Sequence, residues 1–288
     1  MIDTVLGHRM SFPILRIAEP GAFLAVDPLE HDAGAPTVLL PNAEVPKGAR
    51  IGDLVEAFVY LDSEERPIAT TRIPRLTLGE VTFLEVTTVT PIGAFVDWGL
   101  GKELLVPFAQ QSKELFAGER QPIGLYLDKT GRLAGTMFVT DMLGAVPRRV
   151  DRDQWIEGEA WRNDPDIGLF AILERSYVGV VPASEPHRLS RGDAVKFRVA
   201  HILPDGKLVL SLRQRAHKER ATDAENILAV LSRSDSPRVS DKSDPELIRS
   251  LFGLSKKAFK RAVGGLLKLR KVELDERGFV VVMKPPAR

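Results

Sequence analysis

The sequence predicts a mainly β chain with a C-terminal α+β module: three small five-stranded barrels in tandem, then a winged helix. Three observations predict it. A hairpin-like segment recurs three times, a Phe-bearing strand recurs three times upstream of it, and the C-terminal portion carries capped helical patterns followed by a short hairpin.

The hairpins read "GDLVEAFVYLDSEERPIATTR" from Gly52, "GERQPIGLYLDKTGRLAGTMF" from Gly118 and "GDAVKFRVAHILPDGKLVLSLR" from Gly192. In each, a Gly-led turn precedes a strand-like run, a charged turn and a second strand. The upstream strands are "PGAFLAVD" (20–27), "IGAFVDWG" (92–99) and "IGLFAILE" (167–174). Each leads to a strand ending in Pro, at Pro41, Pro107 and Pro182. Phe23, Phe95 and Phe170 recur at steps of 72 and 75 residues, and the first unit carries an insertion, "PLEHDAGAPT". Five short strands per repeat, with a Gly before the second, describe a closed or nearly closed Greek-key barrel of the OB type. The Gly permits the sharp coil that a small barrel needs. The expected boundaries are 1–74, 75–146, 147–216 and 217–288. Short linkers at 72–80, 146–158 and 213–222 predict a semi-extended string of domains.

The C-terminal module follows from caps and stripes. A first helix fits 223–232 with Asp223 as N-cap. A second starts at Ser243, which forms a capping box with Glu246; Pro245 suits the first turn, and Gly253 ends the helix. Ser255 caps a third helix, in which Phe259, Val263, Leu266 and Leu267 form one apolar stripe. "VELDERGFVVV" reads as a two-stranded wing turning at 276–278.

Composition bounds the class. With 44% hydrophobic and 27% charged residues the chain reads as folded material, and 288 residues suit several small domains. Without cysteine there is no disulfide framework or thiolate metal site, which fits a reducing compartment. No signal-peptide h-region and no membrane-length apolar run are present, so a cytoplasmic location and no membrane partner are expected. Net charge is +1, but unevenly spread: residues 1–150 carry 14 Lys+Arg against 19 Asp+Glu, and 206–272 carry 16 against 7. A basic C-terminal portion suggests a polyanion contacted at that end, although a solvated helical face would count the same.

The segment 81–111, "VTFLEVTTVTPIGAFVDWGLGKELLVPFAQQ", resembles the S1-type OB domain. The chain as a whole, through "LDSEERPIATTR", "GAFVDWG", "DKSDPELI" and "SKKAFKRAVGGL", is similar to the conserved virulence factor B family. That resemblance implies three S1-type barrels, a winged helix and RNA binding. It assigns stacking to Phe95 and, by position, to Phe23 and Phe170. It assigns hairpin-turn roles to Asp128 and Arg132, and to Asp62 and Arg66; the third unit keeps only Lys207. The chain departs from the S1 pattern twice. Pro20, Ile92 and Ile167 stand where an aromatic usually precedes the strand, and Pro41, Pro107 and Pro182 replace a His.

Single-stranded nucleic acid is held by aromatic faces that stack bases and by cations that track phosphates. Strand parity places Phe95 and Asp97 on one face and Ala94, Val96 and Trp98 on the other. An inward Phe95 would bury Asp97 at a cost of several kcal/mol unless it were paired, so an outward Phe95 is expected. Trp98 belongs by parity with the core, with a rim position as the alternative. Lys102 is placed to meet a phosphate or simply to be solvated. Arg132 and Arg66 could reach phosphates or bases, Asp128 could fix its turn, and Tyr177 could stack beside Arg175 and Lys207. Phe83 and Phe108 are expected in the core. Lys256, Lys257, Lys260, Arg261 and Lys268 form the exposed surface of the third C-terminal helix. Lysines neutralise phosphates without specifying sequence, which favours non-specific RNA binding or protein contact over operator recognition.

No phosphate-binding loop, dinucleotide fingerprint, zincin motif or nucleophile elbow occurs, and the five histidines lack ligand spacing. The expectation is therefore a non-catalytic, cofactor-free RNA-binding accessory or regulatory protein, a monomer that could also meet the ribosome or RNA polymerase. Two other classes stand beside it: a DNA-binding transcription regulator acting through the winged helix, and a protein-interaction scaffold.

Overall fold

The structure, a computed structural model, describes residues 4–27, 34–147, 149–214, 216–233 and 238–283, without the side chains of 216–222. Most of the inserted stretch, with His31, and the His217 side chain lie outside the described residues. The chain forms two compact units, Met1–Leu212 and Arg213–Arg288.

The first unit holds three barrels. In the first, β1 (Arg9–Ala18), β2 (Gly21–Ala25), β3 (Thr37–Pro41), β4 (Leu54–Leu61) and β5 (Pro67–Thr70) close in the order β1-β2-β3-β5-β4. The third repeats this with β11 (Trp155–Asp164), β12 (Gly168–Leu173), β13 (Tyr177–Pro182), β14 (Ala194–Ile202) and β15 (Leu208–Ser211). In the second, β6 (Val81–Thr90), β7 (Gly93–Asp97), β8 (Leu104–Pro107), β9 (Arg120–Leu127) and β10 (Leu133–Thr136) run β10-β9-β6-β7-β8. Its two edge strands pack without a ladder. A Cβ on Gly135 of β10 would stand 2.8 Å from Val106 Cγ2 on β8.

Two backbone devices recur. Gly21, Gly93 and Gly168 open the second strand of each barrel at φ 146°, 146° and 128°. A Cβ there would lie 1.9, 2.3 and 2.0 Å from the carbonyl oxygens of Leu40, Val106 and Val181, so only glycine fits. The second device is a register shift in each first strand, between Ile14 and Arg16, Val86 and Thr88, and Ala160 and Arg162. It re-aims the next side chain, setting Arg16, Thr88 and Arg162 opposite Phe23, Phe95 and Phe170.

The first of the expected short linkers packs against the second barrel. Residues 72–80 carry Leu76 into the second barrel's core, and Arg75 N–H bonds the Trp98 carbonyl at 2.7 Å. Phe58, on the outer face of β4, joins that same core beside Trp98. Trp98 is therefore a core residue, and its indole N–H bonds the Lys102 carbonyl. Between the second and third barrels, Val81, Phe83 and Val139 meet Trp161 and Ile172 in a separate buried cluster. Phe83 is thus buried as expected, but against the next barrel rather than inside its own. Glu159 caps this contact by accepting from Thr82 Oγ1 at 2.7 Å and Phe83 N at 3.1 Å. Side chains of this size contribute about 1.5–3 kcal/mol each when fully buried, enough to couple neighbouring barrels.

The second unit is the winged helix: α1 (Ala216–Leu231), α2 (Pro245–Phe252), α3 (Lys256–Lys268) and the wing strands β16 (Val272–Leu274) and β17 (Val280–Val282). α1 begins seven residues before the expected start, so Asp223 lies inside it and is not its N-cap. In α2 the cap is Asp244, whose carboxylate accepts from Glu246 N at 2.7 Å, and not Ser243. Ser243 Oγ instead accepts from Ser240 N. Gly253 ends α2 at φ 67°, and Ser255 caps α3 as expected. Phe259, Val263 and Leu266 are buried, Leu267 partly, against Ile227, Val239 and Phe252. No described helix is long and apolar enough to cross a membrane.

Candidate nucleic-acid interface

The outer face of β7 carries Phe95 and Asp97, while Ala94, Val96 and Trp98 pack inward. Parity therefore placed Phe95 correctly. Asp97, however, does not serve the ring: it pairs with Arg75 and accepts from Gly99 N at 2.8 Å, shaping the turn after β7.

Phe95 lines a cleft of about 220 Å³ between the first and second barrels. Lys102, Asp128 and Arg132 line it as well, so four residues singled out from the sequence converge there. The sequence reading missed the contributions of Tyr60 and Glu65 from the first barrel, and of Leu105, which is paired with Phe95 across β8. Lys102 and Arg132 also clasp the β4–β5 turn. Lys102 Nζ donates to the Asp62 carbonyl at 2.7 Å, and Arg132 pairs with Glu65 at 2.6 Å. Both cations remain exposed, so these contacts can be exchanged for a phosphate at small cost.

Asp62 and Asp128 do turn chemistry. The Arg66 N–H, with the Arg66 guanidinium and the Glu64 N–H, holds the Asp62 carboxyl below the usual carboxylate range. Desolvation pushes the Asp128 carboxyl up, but the Thr130 hydroxyl and the N–H groups of Arg132 and Thr130 outweigh it and hold it low. Arg66 folds back onto Asp62 and Glu64 and does not line the cleft. In the third barrel Lys207 is exposed and paired with Asp205 at 2.8 Å.

All three phenylalanines are half-buried, and Phe23 and Phe170 are each covered by the arginine opposite. Arg16 Cζ stands 3.8 Å from the Phe23 ring centroid, and Arg162 Cζ 4.4 Å from that of Phe170. Phe170 also packs against the cluster between the second and third barrels. Thr88 holds the equivalent position at Phe95, and among the described residues no cation stands over that ring. The signal for these arginines was present in the repeat, seven or eight residues before each Phe.

Two expectations fail. Tyr177 is no stacking platform: it is 1% exposed, inside the third barrel, and burial followed by the charge of Glu174 drives its phenol above the usual range. Phe108, expected in the core, is 51% exposed in a 3-10 turn that follows β8.

A larger cleft, about 800 Å³, lies between the second and third barrels. Glu80, Glu157, Glu159 and Glu174 line it against Arg175 and Lys196, a balance unsuited to a polyanion. On the winged helix, Lys257, Arg261 and Lys268 are exposed and have no ion-pair partner among the described residues. Lys256 is partly exposed, and Lys260 pairs with Asp241 at 3.5 Å.

Two family models match parts of this architecture. Residues 6–72 match the family model described as S1 domain, and residues 225–280 match that of the CvfB-like winged helix domain. The chain is 33% identical over 265 residues to the uncharacterized protein YitL of Bacillus subtilis (strain 168), covering 87% of each chain. It is 31% identical over 235 residues to conserved virulence factor B of Staphylococcus epidermidis, covering 78% of each. Among solved structures, a Streptococcus pneumoniae chain described as a multidomain protein with nucleic acid binding domains aligns over 97% of this chain and 99% of its own. Its identity is 26% and its TM-score 0.42.

Proposed function

The chain belongs to the conserved virulence factor B family, and from that premise we propose that it binds single-stranded RNA without catalysis, as a post-transcriptional or translational accessory factor. The observation that carries the proposal is the outward, partly exposed ring of Phe95 in a cleft that also holds Lys102 and Arg132. One base stacks on the ring, and the two cations take the flanking phosphates. The lysine-rich face of α3 adds charge neutralisation and little base readout, because it lacks the Asn, Gln or paired Arg that read a duplex groove. On this reading the protein acts in the cytoplasm as a monomer, and contact with the ribosome or RNA polymerase would be secondary to RNA.

Photo-crosslinking to a mixed pool of single-stranded RNA, with mapping of the crosslinked peptides, tests it. Crosslinks are expected at Phe95 and its β8 neighbours and along α3. An absence of crosslinks, or tighter binding to one duplex DNA sequence, overturns it.

A further inference from the structure

The three barrels supply internal controls for one another, and one comparison marks the second barrel as different. In each barrel the strand that ends in Pro runs into a short turn, residues 42–44, 108–110 and 183–185. The turn's third residue ties down the end of the last strand. Glu44 accepts from Thr70 Oγ1 at 2.6 Å and Thr71 N at 2.7 Å. Glu185 accepts from Ser211 Oγ at 3.1 Å and Leu212 N at 2.7 Å. In the second barrel the Gln110 carbonyl takes the same part, accepting from Met137 N at 2.8 Å. Arg72 N and Phe138 N each donate, at 3.1 Å, to the threonine hydroxyl two residues before them.

These bonds fix the correspondence. Phe108 stands where the other barrels have Asn42 and Ala183, and Phe138 stands where they have Arg72 and Arg213. In the first barrel Arg72 pairs with Glu44 at 3.7 Å. The second barrel has a neutral glutamine in place of that carboxylate and a phenylalanine in place of that arginine. Phe108 and Phe138 are 51% and 49% exposed, and Ile92, on the neighbouring turn, is 61% exposed. Leaving such rings in water forgoes the roughly 1.5–3 kcal/mol that burying each would contribute, and no packing requirement of this barrel explains them.

The turn that bears Phe108 adjoins the Phe95 cleft, and the Met137–Gln110 bond brings Phe138 beside that same turn. Phe95 pairs with Leu105, and the next pair on that face is Gly93 with Pro107, about 7 Å further along the strand. Pro107 lines the cleft, and Phe108 follows it directly. We infer that Phe108 and Phe138 are additional base-stacking positions for the strand that enters at Phe95, so that the second barrel holds a run of bases where its neighbours hold none. The inference rests on the RNA reading above. For the second barrel it accounts for the departure from the S1 pattern, since Ile92 and Pro107 occupy the usual aromatic and histidine places while an aromatic, Phe108, lies one residue further on. Stacking of this kind is tolerant of sequence, because every base presents a π-face.

The test uses the full chain and fluorescence anisotropy with labelled oligouridylates of about four and about twelve nucleotides, lengths within the range one OB barrel accommodates. Phe108→Ala and Phe138→Ala should each weaken the longer ligand about tenfold and leave the shorter nearly unchanged, while Phe95→Ala weakens both. Both substitutions fall on exposed rings, and unchanged thermal melts would establish that the variants fold. Unchanged affinity at both lengths, with Phe95→Ala still impaired, overturns this inference and leaves the RNA reading standing. Unchanged RNA affinity accompanied by loss of self-association in light scattering assigns the rings to a protein contact and also overturns it. Wild-type affinity in Phe95→Ala as well defeats the RNA reading itself.

Discussion

Arg16 stands over the ring of Phe23, its guanidinium carbon 3.8 Å from the centroid. The third barrel repeats the pairing with Arg162 and Phe170, and the second does not, because Thr88 faces Phe95. An exposed cation–π contact contributes only about 0.5–1 kcal/mol, yet it occupies the face a base would use. Among the described residues, Phe95 is therefore the one of the three equivalent phenylalanines with no cation over its ring.

That difference predicts unequal mutants. Phe95→Ala should weaken single-stranded RNA binding by about 1–3 kcal/mol, the usual worth of one stacked base, whereas Phe23→Ala should change it by less than about 0.5 kcal/mol. Anisotropy titrations of the two variants side by side check this. Equal losses would mean that Arg16 yields its place to the base.

The basic helix should act through charge alone. Replacing Lys257 and Arg261 together with alanine removes two exposed cations without touching the buried stripe of α3. If each meets a phosphate, the slope of log K against log salt falls by about 0.7 per contact on a single strand, and by a similar amount for every RNA sequence tried. A loss confined to one sequence would point to base readout instead.

Trp98 is a structural residue on this view, packed edge-on against Phe58 with centroids 5.7 Å apart. Trp98→Ala should destabilise the barrel unit by about 3–5 kcal/mol, read as a lower midpoint in urea denaturation. A variant as stable as the wild type would remove the tryptophan from the joint between the first and second barrels.

Glu44 links stability to pH. Desolvation raises its carboxyl, but bonds from the Thr70 hydroxyl and from the N–H and hydroxyl of Thr71, with the charge of Arg72, bring it below the usual range. A depressed carboxyl contributes stability in full above the unfolded-state value near 4.5, and that contribution is lost as pH falls through the lower folded-state value. Glu44→Gln should therefore cost about 1–2 kcal/mol at neutral pH and progressively less below about pH 4.5. Denaturation midpoints of both proteins from pH 7 to pH 3 measure the gap, which must close on acidification.

The legibility of the chain varied with local chemistry. Phe95 was readable because its strand partner by parity, Asp97, could not be placed in a core. Tyr177 was not, because "YVGVVP" is apolar on both alternations and the burial pattern alone shows Tyr177, Gly179 and Val181 inward. Phe108 escaped because the 3-10 turn after Pro107 breaks the alternation that its neighbours obey. The start of α1 escaped because its first turn, "AHKER", carries no apolar stripe to announce a helix. Asp244 and Ser243 are adjacent cap residues, and the choice between them turned on the Ser243 hydroxyl already accepting from Ser240.

By itself, the sequence determined the repeat, the strands, the glycines that close each barrel and the apolar stripe of α3, all properties of neighbours along the chain. Only the tertiary structure decided which outward side chains meet water: Phe58 and Phe83 are sealed by adjoining barrels, Phe23 lies under an arginine, Phe95 is partly exposed, and Phe108 and Phe138 are exposed. The physical reason is that strand alternation states only that successive side chains point opposite ways. Whether an outward ring finds solvent or another surface depends on contacts between residues far apart in the chain, and no local pattern encodes those.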